Sequence, residues 1–429
     1  LHLKVGEFLL DGGRFGAADP WAPYAQGHYE PTQWLPSVVV AKIYEWWGLP
    51  AVAWSRTAGI TLLALGLLLS LRTIARLPVA LVATALAIVC AWPSLTERPQ
   101  VGGFVLLVPV IAAWWRTAVD GRVRWWLVPL TWLAACVHGI WSLGLGTGLL
   151  VVAGLVVERR FTTSQRVRMI ACLAGCLAVT ALTPLGPRLT LAPFTVGSNA
   201  RQFVSEWMPS SARTPAVAVT LLALAVVFWL WSRRSARPQL WQLFLWLAAL
   251  GLTLFMRRTV PVGGFLAAYL LADAWATRGT LAPVRFRPSR HEVITFVAAA
   301  LATLLVAIPL ARTRGDLTPG LPTRLEHELR ALPAGTHVIS DGDLSGWLMF
   351  TAPNAHPVFD IRVEAYTPAH VRGFIAALRA EPSWREYLSR TGTRAALLKD
   401  DSALTSALTD QWRWRVAGRD SGYVLLVVP

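Results

Sequence analysis

Long apolar runs recur between residues 50 and 310, each near the ~20 residues that a helix needs to cross a bilayer. They predict spans near 50–71, 77–93, 101–116, 125–138, 140–157, 167–184, 215–232, 239–256, 259–276 and 293–310. An interfacial helix is expected at 35–47, ahead of the first of them. From 311 the pattern changes. "THVISDGDLSGWLMF" reads as a strand, a turn and a second strand or short helix, and "PVFDIR" as a strand. "PAHVRGFIAALRAEPSWREYLSRTG" reads as amphipathic helix, "RAALLKDD" as a strand and "WRWRVAGRDSGYVLLVVP" as a closing hairpin. The expected fold is mainly α, a polytopic membrane helical bundle of about ten spans with a C-terminal extracytoplasmic α/β domain. Three regions follow: an opening loop at 1–34, the bundle at 35–310 and the α/β domain at 311–429.

The opening loop breaks the apolar pattern. "GRFGAADPWAPYAQGHYEPTQWLP" (13–36) sets Asp19, His28, Glu30 and Gln33 among Trp21, Tyr24, Tyr29 and Trp34. Its prolines and glycines rule out a regular helix through most of it. Acids and aromatic faces leading into membrane helices suggest a site at the water–lipid boundary.

Composition agrees with membrane residence: 55% of residues are hydrophobic, and the mean hydropathy is +0.48. The net charge of +16 does not indicate nucleic acid. Residues 311–429 carry 14 basic and 13 acidic side chains, so the excess sits in the loops of the bundle. Sixteen arginines fall in one set of loops, from Arg72 through Arg290, against six in the other, namely Arg98, Arg188, Arg201, Arg213, Arg257 and Arg258. The positive-inside rule makes the first set cytoplasmic, and both the opening loop and the C-terminal domain then face outward. Most of the 22 tryptophans fall near span ends, as interfacial anchors do. The cysteines Cys90, Cys136, Cys172 and Cys176 all lie within spans and read as small core residues.

On the outer side, acids meet bases. Glu7, Asp11, Asp19, Glu30, Glu97 and Glu206 share that face with Arg98, His138, Arg201 and the pair Arg257–Arg258. A carboxylate there can accept a proton from an attacking hydroxyl, and arginines can neutralise a phosphate leaving group. Plainer roles compete residue by residue. Asp19 before Pro20 suits a turn, Glu30 suits a helix N-terminus, His138 suits packing, and Arg257 and Arg258 suit anionic lipid.

With these residues in place, the chain resembles bacterial multi-pass glycosyltransferases of the GT-C superfamily. The likeness is to the branch that includes protein-mannosyltransferase-like and core galacturonosyltransferase-like proteins. It rests on "LHLKVGEFLLDGGRFGAADPW" and "PTQWLP", which put His2, Gly6, Asp19 and Trp34 on the pattern. It continues through "RPQ" at 98–100, "HG" at 138–139, "EW" at 206–207, "RR" at 257–258, "GDLSGWL" and "FDIRVEAY". The resemblance implies transfer of a sugar from a polyprenyl-phosphate donor to a cell-envelope glycan, lipid or protein, at the outer face of a bacterial plasma membrane. It implies a catalytic acid in the first outer loop, for which Asp19 and then Glu30 are the visible candidates. It also places a further aspartate and a first span upstream of residue 1. His2, His28, Trp34, Arg98, His138, Glu206, Arg257 and Arg258 are the expected substrate contacts. No cofactor is demanded. A divalent metal ion bridging acid and phosphate fits the chemistry, although no ligand spacing requires it.

Two other classes compete. A transporter or flippase for lipid-linked saccharides would place ionisable groups near the bilayer midplane, but Arg56 and Asp273 lie toward span ends. A non-catalytic assembly subunit would keep the fold without the chemistry.

Overall fold

In the computed structural model, which describes residues 1–26, 30–234, 237–277, 287–314 and 320–429, each predicted span is met by a helix. Helices α1 (His2–Leu10) and α2 (Trp34–Trp47) bracket the opening loop. Next come α3 (Leu49–Arg72), α4 (Leu77–Ala91), α5 (Gln100–Asp120), α6 (Leu127–Val137), α7 (Trp141–Val157) and α8 (Thr163–Val179). Hydropathy leaves the following stretch outside the bundle, but it folds as α9 (Pro187–Phe203). The bundle closes with α10 (Pro215–Ser232), α11 (Leu240–Phe255), α12 (Val260–Ala276) and α13 (Arg290–Arg314). Among the described residues, seven helical stretches are long and apolar enough to cross a membrane, and α6, α7 and α11 are shorter apolar helices. This is a multi-pass membrane architecture.

Burial orders the bundle. The stretch containing α12 is 83% buried and that containing α5 is 67% buried, whereas α13 is only 6% buried. Helix α12 packs on α4, α10 and α11, and α13 lies on the periphery against α3. Close approach at the centre depends on small residues. A Cβ on Gly263 would sit 2.2 Å from the Thr253 hydroxyl, and one on Gly264 would sit 2.4 Å from Cys90 Cβ. Because hydrocarbon tails are as apolar as leucine, helix contacts in lipid rely on such fit.

The C-terminal unit is a mixed five-stranded sheet with helices on both faces. Its elements are α14 (Glu326–Arg330), β1 (Thr336–Ser340), α15 (Ser345–Thr351), β2 (Ala355–Pro357), α16 (Pro368–Leu378), α17 (Trp384–Arg390), β3 (Thr393–Lys399), α18 (Ala403–Asp410), β4 (Arg415–Asp420) and β5 (Tyr423–Val427). The strand order is β2-β1-β3-β5-β4, with β1 parallel to β2 and β3, and β5 antiparallel to β3 and β4. Covered on both sides, β3 buries Ala395, Ala396, Leu397 and Leu398 in succession. Ala396 and Leu398 join one apolar cluster, with α16–α18, while Ala395 and Leu397 join the other.

Two details differ from the sequence expectation. The long amphipathic stretch is two helices, broken around Glu381 and Pro382. The strand expected over "PVFDIR" ends at Pro357, and the residues after it turn away from the sheet. The cause is Asp360. Its buried carboxylate accepts the Arg362 backbone N–H at 2.8 Å and binds the same residue's guanidinium, a local ring that an extended strand cannot form.

This turn clamps the opening loop to the C-terminal unit. Arg362 reaches Asp360 at 2.5 Å and Asp19 at 2.6 Å. Burial opposes the guanidinium charge, yet the two carboxylates raise its pKa above the ordinary arginine value. Nearby, Ala22 enters the sheet-side cluster, and the Tyr24 hydroxyl donates to the Thr391 carbonyl at 2.5 Å. The Tyr24 ring stacks on His370 at 5.4 Å.

Candidate functional site

At one end of the bundle, α4, α6 and α11 finish and α5, α7 and α12 begin. The connections there carry Arg98, His138 and the Arg257–Arg258 corner. The corner is tied to the turn Ser205–Trp207, because the Arg257 backbone N–H donates to the Met208 carbonyl at 3.1 Å. This brings Glu206 between two arginines: Arg98 donates to one oxygen at 2.6 Å, and Arg258 lies 3.6 Å from the other. Arg258 also sits over the Trp207 ring at 5.6 Å, and its Nη2 is 3.1 Å from His138 Nε2.

His138 is only 3% exposed and follows α6 in an extended conformation. It is seated by Gly103, where a Cβ would stand 3.0 Å from His138 Cβ. Its Nδ1 faces the Ile140 N–H at 3.2 Å, while its Nε2 faces the Arg258 guanidinium. A neutral imidazole has one acceptor nitrogen and an imidazolium has none. Whichever tautomer is present, one N–H at this corner lacks a lone pair to receive it among the described residues. Trp141 adds a buried indole N–H with no partner among the described residues.

This donor-rich corner opens into a cavity of about 200 Å³. His138, Trp141 and Arg258 line it at the polar side, with Thr32 and Gln33 from the opening loop. Leu143, Leu189, Ala192, Pro193 and Met256 supply apolar wall from α7, α9 and the end of α11. A cavity with an apolar wall and a few converging N–H groups suits an amphiphile with an anionic head.

The remaining predicted residues are placed as follows. Arg257 is exposed and joins no ion pair among the described residues, so the basic corner contributes Arg258 alone. His2 is half-buried against Ser37, with Nδ1 to Oγ at 3.1 Å; loss of hydration, then surrounding positive charge including Arg98, pushes its pKa down to about 4. Trp34 starts α2 and meets Phe15 edge-on at 6.1 Å. Glu30 pairs with Arg188 at 2.8 Å near the surface. Asp19 is inside the clamp, where one oxygen accepts the Trp21 and Ala22 N–H groups at 3.0 Å and the other accepts from Arg362. His28 lies outside the described residues. Among those residues, no group of three or more His, Cys, Asp or Glu could hold a metal ion.

Sequence reasoning missed Asp360 and Arg362, both within "FDIRVEAY". The available signal was the motif itself, which sets two opposite charges, Asp360 and Arg362, in the strand expected over "PVFDIR".

Neither a protein-family model nor a curated protein matches the chain. Solved structures do, and they show a fold similar to GT-C membrane glycosyltransferases over most of the chain. ArnT from Cupriavidus metallidurans bound to undecaprenyl phosphate aligns with TM-score 0.53 and 14% identity, over 99% of this chain and 92% of that one. The Archaeoglobus fulgidus oligosaccharyltransferase in the apo form aligns with TM-score 0.57 and 11% identity over 93% of this chain. The same organism's oligosaccharyltransferase AglB, in complex with an inhibitory peptide and a dolichol-phosphate, gives TM-score 0.57 at 12% identity. The chain spans 64–65% of the length of these oligosaccharyltransferases.

Proposed function

We propose that this chain is a membrane glycosyltransferase that moves a sugar from a polyprenyl-phosphate carrier to a hydroxyl-bearing acceptor of the bacterial cell envelope, outside the cytoplasm. The observation that carries this reading is the unmatched N–H at the His138–Arg258 corner, opening into a cavity with an apolar wall. A phosphate oxygen supplies the missing lone pairs, and the first units of a polyprenyl chain suit Leu143, Leu189 and Met256. Two of the aligned proteins are named with a polyprenyl or dolichol phosphate, which supports the same donor class.

The parts act in sequence. Arg258 and the His138 N–H receive the phosphate, Arg98 holds Glu206 so that Glu206 orients Arg258, and Trp207 fixes the guanidinium plane. The charge that grows on the phosphate as the sugar leaves is met by donors already in place. The clamp through Arg362 keeps the opening loop and the C-terminal unit together as walls on the acceptor side. Asp19, with its oxygens shared among three donors, holds that clamp rather than accepting a proton. Inverting displacement is expected, because one attack by the acceptor hydroxyl suffices.

The full chain, reconstituted in lipid with a bacterial envelope extract as the acceptor pool, is to be offered a panel of polyprenyl-phosphate sugars. Transfer from at least one donor, with release of polyprenyl phosphate, is the expected result. Turnover of nucleotide sugars instead, or of no donor at all, contradicts the proposal.

A further inference from the structure

Beyond Arg258 and His138, the polar lining of the cavity is uncharged. Thr32 and Gln33 supply it from the opening loop, Ser142 from α7, and the Trp207 ring lies among the same lining residues. Among the described lining residues, Arg258 is the only one with a permanently charged side chain, and no carboxylate joins it. Arg98 and Arg257 share the corner but do not line the cavity, and Arg98 is bound to Glu206.

Gln33 is held firmly by its backbone. It directly precedes α2, and its carbonyl accepts the Ser37 hydroxyl at 2.9 Å. Ser37 is 1% exposed, because α1 presses on it so closely that a Cβ on Gly6 would stand 2.1 Å from the Ser37 carbonyl oxygen. The Gln33 carboxamide, in contrast, makes no hydrogen bond to another described residue, so it keeps two N–H donors and an acceptor for a ligand. The Ser142 hydroxyl donates to the Gly139 carbonyl at 2.9 Å, which leaves its lone pairs as acceptors.

Building on the glycosyltransferase reading, we infer that the transferred sugar is uncharged, a neutral hexose or pentose, and that the Gln33 carboxamide binds its hydroxyls. A sugar hydroxyl donates one hydrogen bond and accepts others, which is the balance that Gln33 and Ser142 offer. A charged sugar finds no such match. The ammonium of an amino sugar would stand near the Arg258 guanidinium in a lining without a carboxylate. The carboxylate of a uronic acid would compete with the phosphate for that same guanidinium. Either charge leaves water without a partner, and that costs more than losing one neutral hydrogen bond. Selectivity here comes from what the lining refuses as well as from what it binds.

The test offers the reconstituted full chain matched sets of polyprenyl-phosphate donors. Each set holds a neutral hexose with the uronic acid and the amino sugar of the same ring configuration. Wild type should transfer the neutral member of at least one set, with kcat/KM for both charged members lower by ~10-fold or more. Gln33→Ala should lower kcat/KM for the neutral donor ~2–10-fold, as loss of one neutral hydrogen bond does, with binding of undecaprenyl phosphate alone unchanged. Gln33→Glu supplies the missing carboxylate and should shift preference toward the amino sugar by ~10-fold. A charged donor used as well as its neutral counterpart overturns the inference. So does wild-type kinetics in Gln33→Ala, or loss of lipid-phosphate binding together with transfer. Transfer from no donor of any set refutes the glycosyltransferase reading itself, and the sugar assignment falls with it.

Discussion

Replacing Arg258 with alanine is expected to lower sugar transfer ~10²–10³-fold, the usual effect of removing one preorganised donor from developing charge. Among the described residues, no other side chain at the corner joins Glu206, His138, the Trp207 ring and the cavity at once. Arg258→Lys should also be impaired, because an ammonium cannot present two parallel N–H groups to a phosphate or stack its plane on Trp207. Arg257→Ala is the control. Its side chain is exposed beside the same corner and should leave kcat/KM near wild type. Steady-state transfer kinetics on the three variants decide the matter, and equal loss at Arg257 and Arg258 would point to diffuse lipid attraction instead of a built phosphate site.

Breaking the clamp should have the largest structural effect. Arg362 is 11% exposed at its side chain, Asp19 is 6% and Asp360 is 0%. Arg362→Ala leaves two buried carboxylates without their counter-charge, a change that costs ~3–5 kcal/mol where a buried pair loses one partner. The opening loop should come away from the C-terminal unit, so residues near Trp21 and Tyr24 should become sensitive to protease and the melting transition in detergent should fall. Asp19→Asn should do less, because the Asn oxygen still accepts the Trp21 and Ala22 N–H groups while the Asp360–Arg362 ring persists. An unchanged melting point and intact protease resistance in Arg362→Ala would show that the apolar contacts of Ala22 and Tyr24 alone hold the loop.

The helices of the bundle were legible because hydropathy over a span-length window is a strong signal. Helix α9 was not, since Pro187, Arg188, Pro193 and Arg201 dilute its apolar character. The basic corner was legible from sidedness, which puts Arg98, Glu206 and Arg258 on one face, where they pair. Local sequence could not separate Arg257 from Arg258, because the two are identical residues and only the backbone turn decides which points inward. The Asp19–Arg362 pair spans 343 positions, so no local pattern announces it. The same pairing explains why the strand expected over "PVFDIR" is cut short. Alternation reads Phe359 and Ile361 as one face, but the buried Asp360 and its arginine bend the chain away from β2.

The most direct test of a phosphate site at the His138–Arg258 corner is a binding titration of the purified full chain with undecaprenyl phosphate, using the corresponding polyprenol as the comparison ligand. Tight binding of the phosphate, much weaker binding of the alcohol, and loss of that preference in Arg258→Ala are the expected results. Equal binding of the two lipids by wild type, or a preference that survives in Arg258→Ala, would contradict it.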